Sequence, residues 1–169
     1  MIRKVVKYGE PVLEQKAAPV TEFNEELKQL IADMWETMYT SQGVGLAAPQ
    51  VGVSKQLVVI DVSFKEDPDA PIVLINPEII HAEGKQTDEE GCLSFPGLRE
   101  KVSRPRIVTV RAQDADGGWF EVTGEDFFAR AMCHEIDHLN GQLFINRVSM
   151  LKRDLMKRKI RKLRAQGEW

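Results

Sequence analysis

The 169-residue chain predicts an α+β fold: mostly antiparallel sheets packed around a central helix, with one helix before them and one after. Three observations predict it. Strand-like runs gather between residues 57 and 123 instead of alternating with helices. An amphipathic stretch of helical period precedes them at 24–41. A run at about 124–139, apolar along both sides, follows a hairpin directly and reads as a helix buried nearly all round.

Composition narrows the class. Hydrophobic residues make up 43% and charged residues 29%, ordinary for a globular protein. The length fits one domain, or a domain with an appendage. No apolar run approaches the ~20 residues that span a bilayer, and Met1-Ile2-Arg3-Lys4-Val5-Val6 carries no apolar leader segment. No membrane contact is expected. Two cysteines, Cys92 and Cys133, make no disulfide framework, so a cytoplasmic, reducing setting is the simplest expectation. The net charge of −3 is uneven: residues 149–169 hold eight Lys/Arg and two acids, a local +6, and the remainder carries −9. This divides the chain into an acidic main domain at 1–148 and a basic helical tail at 149–169, an appendage with a separate job.

In chain order, residues 1–20 read as an irregular arm punctuated by Pro11 and Pro19. The 24–41 helix places Leu27, Leu30, Ile31, Met34 and Met38 on one face as core. Asn24 is its cap, Glu25 and Glu26 lie at its positive end, and Gly43 follows its stop. Gly43-Val44-Gly45-Leu46-Ala47-Ala48-Pro49-Gln50 is no phosphate loop, because no Lys-Ser/Thr follows. Its small residues let backbone approach closely. Taken alone, it reads as a tight turn with a solvated Gln50, ahead of a strand at 57–62. Residues 72–80 form another strand in which Pro77 marks an edge or a bulge. His81 is an ordinary surface histidine, and the polar run 82–90 fits an edge strand. Residues 106–123 form a hairpin about the turn Asp114–Gly118. From Ser149 a capped helix runs to about Arg164. Its basic residues either face solvent or make an electrostatic contact with nucleic acid.

Chemistry concentrates in His134-Glu135-Ile136-Asp137-His138, an H-E-x-x-H pentad. Histidines four apart share one helix face, so both imidazoles can converge on one metal ion, and the glutamate then addresses the metal's water. On the pentad alone, the bland alternative is a helix whose histidines bind nothing. Two of the chain's three histidines lie here, and a buried helix must supply partners for its polar groups. An open catalytic site needs a third protein ligand. Cys133 neighbours His134 and points roughly 100° away on the helix. Cys92, in Glu90-Gly91-Cys92-Leu93-Ser94, comes from a separate element and is the better candidate. Asp137 is either a support for the ligands or a structural ion pair.

These three stretches, in this order, resemble the signature motifs of bacterial peptide deformylases, and the resemblance extends over nearly the whole chain. It implies removal of the N-terminal formyl group from formyl-methionyl nascent polypeptides, releasing formate. Cys92, His134 and His138 would bind one divalent metal, Fe(II) in the cell, with Zn(II), Ni(II) or Co(II) also suited to a thiolate and two imidazoles. The metal would bring its water to a pKa near neutral, and the hydroxide would attack the formyl carbon with Glu135 as general acid/base. Gln50 and the Leu93 N–H would stabilise the oxyanion. Val44, Gly45 and Gly91 would bind the peptide, and an apolar pocket beside the helix would take the methionine side chain. Similar basic tails dock some relatives on ribosomal RNA. Two other classes share part of the pattern. A zincin endoprotease leaves Cys92 and Gln50 without roles, and a closed structural metal site needs a fourth ligand.

Overall fold

A computed structural model describes residues 1–63 and 71–169. Among the described residues the helices are α1 (Glu25–Thr40), α2 (Asp126–Leu139) and α3 (Met150–Ala165). The strands are β1 (Gly45–Ala47), β2 (Leu57–Ile60), β3 (Ile72–Glu83), β4 (Gln86–Gly91), β5 (Arg99–Arg104), β6 (Ile107–Gln113) and β7 (Trp119–Glu125). One sheet has the order β1-β2-β3-β6-β7, and β4 pairs with β5 in a separate ribbon. All pairings between these strands are antiparallel. The expected α+β class with a central helix is the observed architecture.

Burial on both faces explains the continuous apolar run of β2. Val58 and Ile60 pack toward α2, with Phe128, Met132 and Ile136. Leu57 and Val59 pack toward α1, with Leu30, Met34 and Met38. Alternate side chains of one strand therefore feed two cores. The stripe read from 24–41 is buried as expected, and Asn24 Oδ1 accepts from Leu27 N–H at 3.0 Å. A third core lies under α3, where Met156 and Ile160 meet Leu13, Phe95, Leu98 and Phe144.

β3 is longer than the expected 72–80 and sits inside the sheet. Pro77 therefore marks a bulge and not an edge: the register with β6 shifts between Ile75 and Glu78. Asn76 there adopts φ +50°, and its side chain binds both Val20 backbone groups, at 2.8 and 2.9 Å. The bulge thus anchors the arm. The arm also does more than expected: Val6 N–H donates to Gln50 O at 2.8 Å and Tyr8 N–H donates to Ser94 O at 2.9 Å, tying both motif loops together. β5 was not anticipated, because Arg99-Glu100-Lys101-Val102-Ser103-Arg104 carries one apolar residue. No described helix is long and apolar enough to cross a membrane.

Candidate metal centre

Three segments meet at one end of a cavity of about 490 Å³. The loop into β1 supplies Gly43, Val44 and Gly45, and the short helical turn after β1 supplies Gln50. The end of β4 and the following turn supply Glu90, Gly91, Cys92 and Leu93. From α2 come Phe127, Arg130, Ala131, His134 and Glu135. Residues 127, 130, 131 and 134 follow the i, i+3, i+4, i+7 rule, so one helix face walls the cavity while the opposite face fills the sheet core.

At the cavity's end, His138 Nε2 lies 3.4 Å from Cys92 Sγ and 3.3 Å from His134 Nε2. Cys92, His134 and His138 have donor atoms all within 4.8 Å of one another. A tetrahedral ion bound at about 2.0 Å to nitrogen and 2.3 Å to sulfur spaces its donors by roughly 3.3–3.6 Å, so the residues fit a divalent metal. Cys133 is buried in the core on the sheet side, where burial pushes its thiol up to about 11. The choice between the two cysteines therefore falls to Cys92.

The histidines are oriented from behind. His134 Nδ1 lies 2.6 Å from Glu90 Oε1, which leaves its Nε2 facing the other donors. Glu90 also takes both forks of Arg104, each at 2.9 Å, and Arg130 Nη1 at 2.6 Å. Burial works against the Glu90 charge, but the bonds from His134 and Arg104 hold its carboxyl down at about 2. Burial also opposes a charge on His134, yet its hydrogen bonds to Cys92 and Glu90 raise it well above the ordinary histidine value. Burial drives His138 well below that value, so its ring is neutral. Asp137 does not touch the histidines. It binds Arg104 Nη1 at 2.6 Å and Arg147 at 2.8 and 3.0 Å, which makes it a structural ion pair.

Glu135 is buried, and burial pushes its carboxyl up to about 7. Oε1 is 3.8 Å from His134 Nε2, and Oε2 has no hydrogen-bond partner among the described residues. A Cβ on Gly45 would come within 2.9 Å of Glu135 Cγ, so that glycine is what admits the carboxylate. Gln50 is not solvated, contrary to its reading as a lone turn residue. Ala47 N–H donates to its Oε1 at 3.0 Å, which turns Nε2 toward Cys92 Sγ at 3.5 Å and Ser94 Oγ at 3.2 Å. All the sequence-predicted site residues come together here. Arg104 and Arg130 were missed, and Glu90 and Ser94 were seen only as part of a motif. The usable signal was general: a buried ligand histidine needs an acceptor for its second nitrogen, and a buried carboxylate needs cations.

A scaffold that aims three such donors and a protonatable carboxylate at the closed end of one cavity is that of a metal-dependent hydrolase. A family model described as polypeptide deformylase matches residues 2–154, and the chain belongs to that family. A relative named peptide deformylase from Acidobacterium capsulatum is 65% identical over 169 residues, covering 100% of this chain and 99% of the relative. The crystal structure of a peptide deformylase from Legionella pneumophila aligns with a TM-score of 0.90 at 47% identity, covering 100% of this chain and 99% of that one. A peptide deformylase from Ehrlichia chaffeensis in complex with actinonin aligns at 0.89 with 34% identity, covering 95% and 96%.

Proposed function

We propose that this chain hydrolyses the N-terminal formyl group of formyl-methionyl polypeptides, releasing formate and a free amine, with Cys92, His134 and His138 holding one divalent ion. The observation that carries the reading is convergence: three motifs, remote in sequence, bring three donors, Glu135 and Gln50 to one cavity end. Bound there, the ion supplies Lewis acidity and an acidified water near neutral pH.

The chain's own residues do the rest. Glu135 takes a proton and later gives it to the leaving amine, and its buried Oε2 has no hydrogen-bond partner among the described residues to hold the carboxyl ionised. A carboxyl near 7 can do both at neutral pH. Gln50 Nε2 and the Leu93 N–H donate to the formyl oxygen as it gains charge, worth on the order of 3 kcal/mol per donor. Ala47 and Ser94 hold the Gln50 amide in place before substrate arrives. Val44, Gly45 and Gly91 present backbone to the peptide, and the methionine side chain enters along Phe127, Arg130 and Ala131. One thiolate and two imidazoles suit Fe(II), with Zn(II), Ni(II) and Co(II) as substitutes.

Formate release from a formyl-Met tripeptide under anaerobic conditions tests the reading. Rapid, chelator-sensitive release is expected. No release from folded, metal-loaded protein would overturn it.

The basic face of α3 would place the enzyme, in the cytoplasm, on ribosomal RNA near emerging chains. Arg158, Lys159, Arg161 and Lys162 are exposed on it. Co-sedimentation with ribosomes should weaken steeply with salt. Replacing Arg158, Arg161 and Lys162 with Gln should weaken it further and flatten the salt slope. Unchanged sedimentation of that variant removes the idea.

A further inference from the structure

A second hollow opens beside the cavity. It holds about 400 Å³, within the range of ligand pockets, and lies between the turn that leads into β5 and the helix α3. Gly97, Leu98 and Arg99 line both spaces, so the hollow continues the cavity outward. Lys152, Leu155, Met156 and Lys159 make its other wall. They follow the i, i+3, i+4, i+7 rule and form one row down α3. Leu155 is 51% exposed, an apolar side chain left open between two lysines. Glu100 is the one acid among the described lining residues, and it is engaged, accepting from Lys152 Nζ at 3.0 Å. Lys159 is exposed and makes no ion pair among the described residues. The hollow therefore joins a cationic rim to an apolar wall.

Arg99 is the junction between the two spaces. It pairs with Gly91 across the ribbon of β4 and β5, and a Cβ on Gly91 would come within 2.8 Å of its Nη1. The guanidinium thus lies against the backbone that receives the start of the peptide on the deformylase reading, on which this inference rests. Its ion pair with Glu89 is long, 3.7 Å between two exposed side chains, and such pairs hold weakly. A chain held at Gly91 runs on past the cavity's mouth, advancing about 3.3 Å per residue when extended. We propose that the hollow between the 97–100 turn and α3 binds the substrate's own downstream segment, residues four to six, and that Arg99 and Lys159 make it favour acidic side chains flanking an apolar one. Continuity with the cavity makes the substrate the occupant. The two cations and the open Leu155 set the preference. These groups hold the incoming chain and do not touch the reacting carbon, so they act on KM and not on kcat.

The test measures kcat and KM for formate release by the metal-loaded full chain from two formyl-Met heptapeptides. They are identical except that residues four to six are Asp-Leu-Asp in one and Lys-Leu-Lys in the other. Each is taken relative to a formyl-Met tripeptide on the same enzyme, so a general loss of activity cancels. The parent should prefer the acidic peptide by about tenfold in kcat/KM at low salt, through KM, and the preference should shrink at about 1 M salt. Lys159→Glu should bring the two heptapeptides to within about twofold of each other. The comparison within the parent stands even if the variant fails to fold. Equal KM for the two heptapeptides on the parent, or a preference that Lys159→Glu leaves intact, would overturn the proposal. A variant that loses ribosome co-sedimentation while keeping the peptide preference would give this surface to ribosomal RNA and overturn it equally. Release from none of the three peptides would instead strike the deformylase reading itself.

Discussion

Glu135 and Glu90 are both buried carboxylates near His134, yet their surroundings push them in opposite directions. Glu90 receives two guanidinium groups and an imidazole and stays ionised. Glu135 Oε2 receives none, and burial lifts the carboxyl to about 7. In the proposed mechanism one holds His134 and the other exchanges a proton. Glu135→Ala should lower kcat by about 10²–10⁴-fold while the protein still binds one metal equivalent, as elemental analysis would show. An unchanged kcat would remove the general acid/base role. Glu90→Gln keeps the shape but weakens the grip on His134 Nδ1, so metal affinity should drop by roughly 10–100-fold in a chelator competition. An unchanged affinity would mean that His134 needs no such support. Sequence reasoning reached the donors because H-E-x-x-H and Cys92 carry their chemistry in residue type and spacing. It could not reach Arg104 or Arg130, because arginine in a strand or helix looks like surface until tertiary contacts bury it. For the same reason Gln50 looked like a solvated turn residue until Ser94 and Ala47 were seen beside it.

Elements were legible where periodicity is strong. The α1 stripe, the cap at Asn24 and the hairpin of β6 and β7 follow from local pattern. β5 was not legible, because its fit depends on pairing with β4 and on burying one apolar residue, Val102, beside the ion-paired Arg104. The arm was equally silent, since its role is to bridge loops through backbone groups. Its start is pinned to α1: Asp33 Oδ1 accepts from the Met1 ammonium at 2.9 Å, and Oδ2 accepts from Arg3 Nε at 3.0 Å. The Met1 ammonium, then Gln29 and Arg3, hold the Asp33 carboxyl at about 2, below its ordinary 3.8. A depressed carboxyl contributes stability above its unfolded value and loses it as pH falls through the folded one. Asp33→Asn should therefore flatten the loss of stability between about pH 4 and pH 2 in denaturant titrations. A variant whose acid limb runs parallel to the parent's would show that this contact carries no linkage. α3 calls for a similar distinction. Met156 and Ile160 are buried in the third core, and Trp169 Nε1 donates to Tyr8 O at 2.9 Å, so the basic tail is docked. Ile160→Ala should cost about 2–5 kcal/mol. Removing 149–169 would therefore confuse lost charge with lost packing, and side-chain neutralisation is the cleaner probe.

At the scale of the molecule, one helix joins sheet, ribbon and site. The inner face of α2 is committed to the core shared with β2, β3, β6 and β7, and its other face carries the cavity wall and both histidines. The third candidate donor, Cys92, arrives in the turn after β4, and the arm and α3 press that turn into place through Phe95. Metal binding is therefore tied to the packing of separate parts, and the metal-loaded protein should unfold at a higher temperature than the chelated one. The measurement that bears most directly on this account is formate release from a formyl-Met tripeptide as metal-free protein is titrated with Fe(II) or Ni(II) under anaerobic conditions. Release should rise in proportion to added metal and level off at one equivalent, and Cys92→Ala should abolish that rise. Release that ignores the metal, or a Cys92→Ala titration that matches the parent, would contradict it.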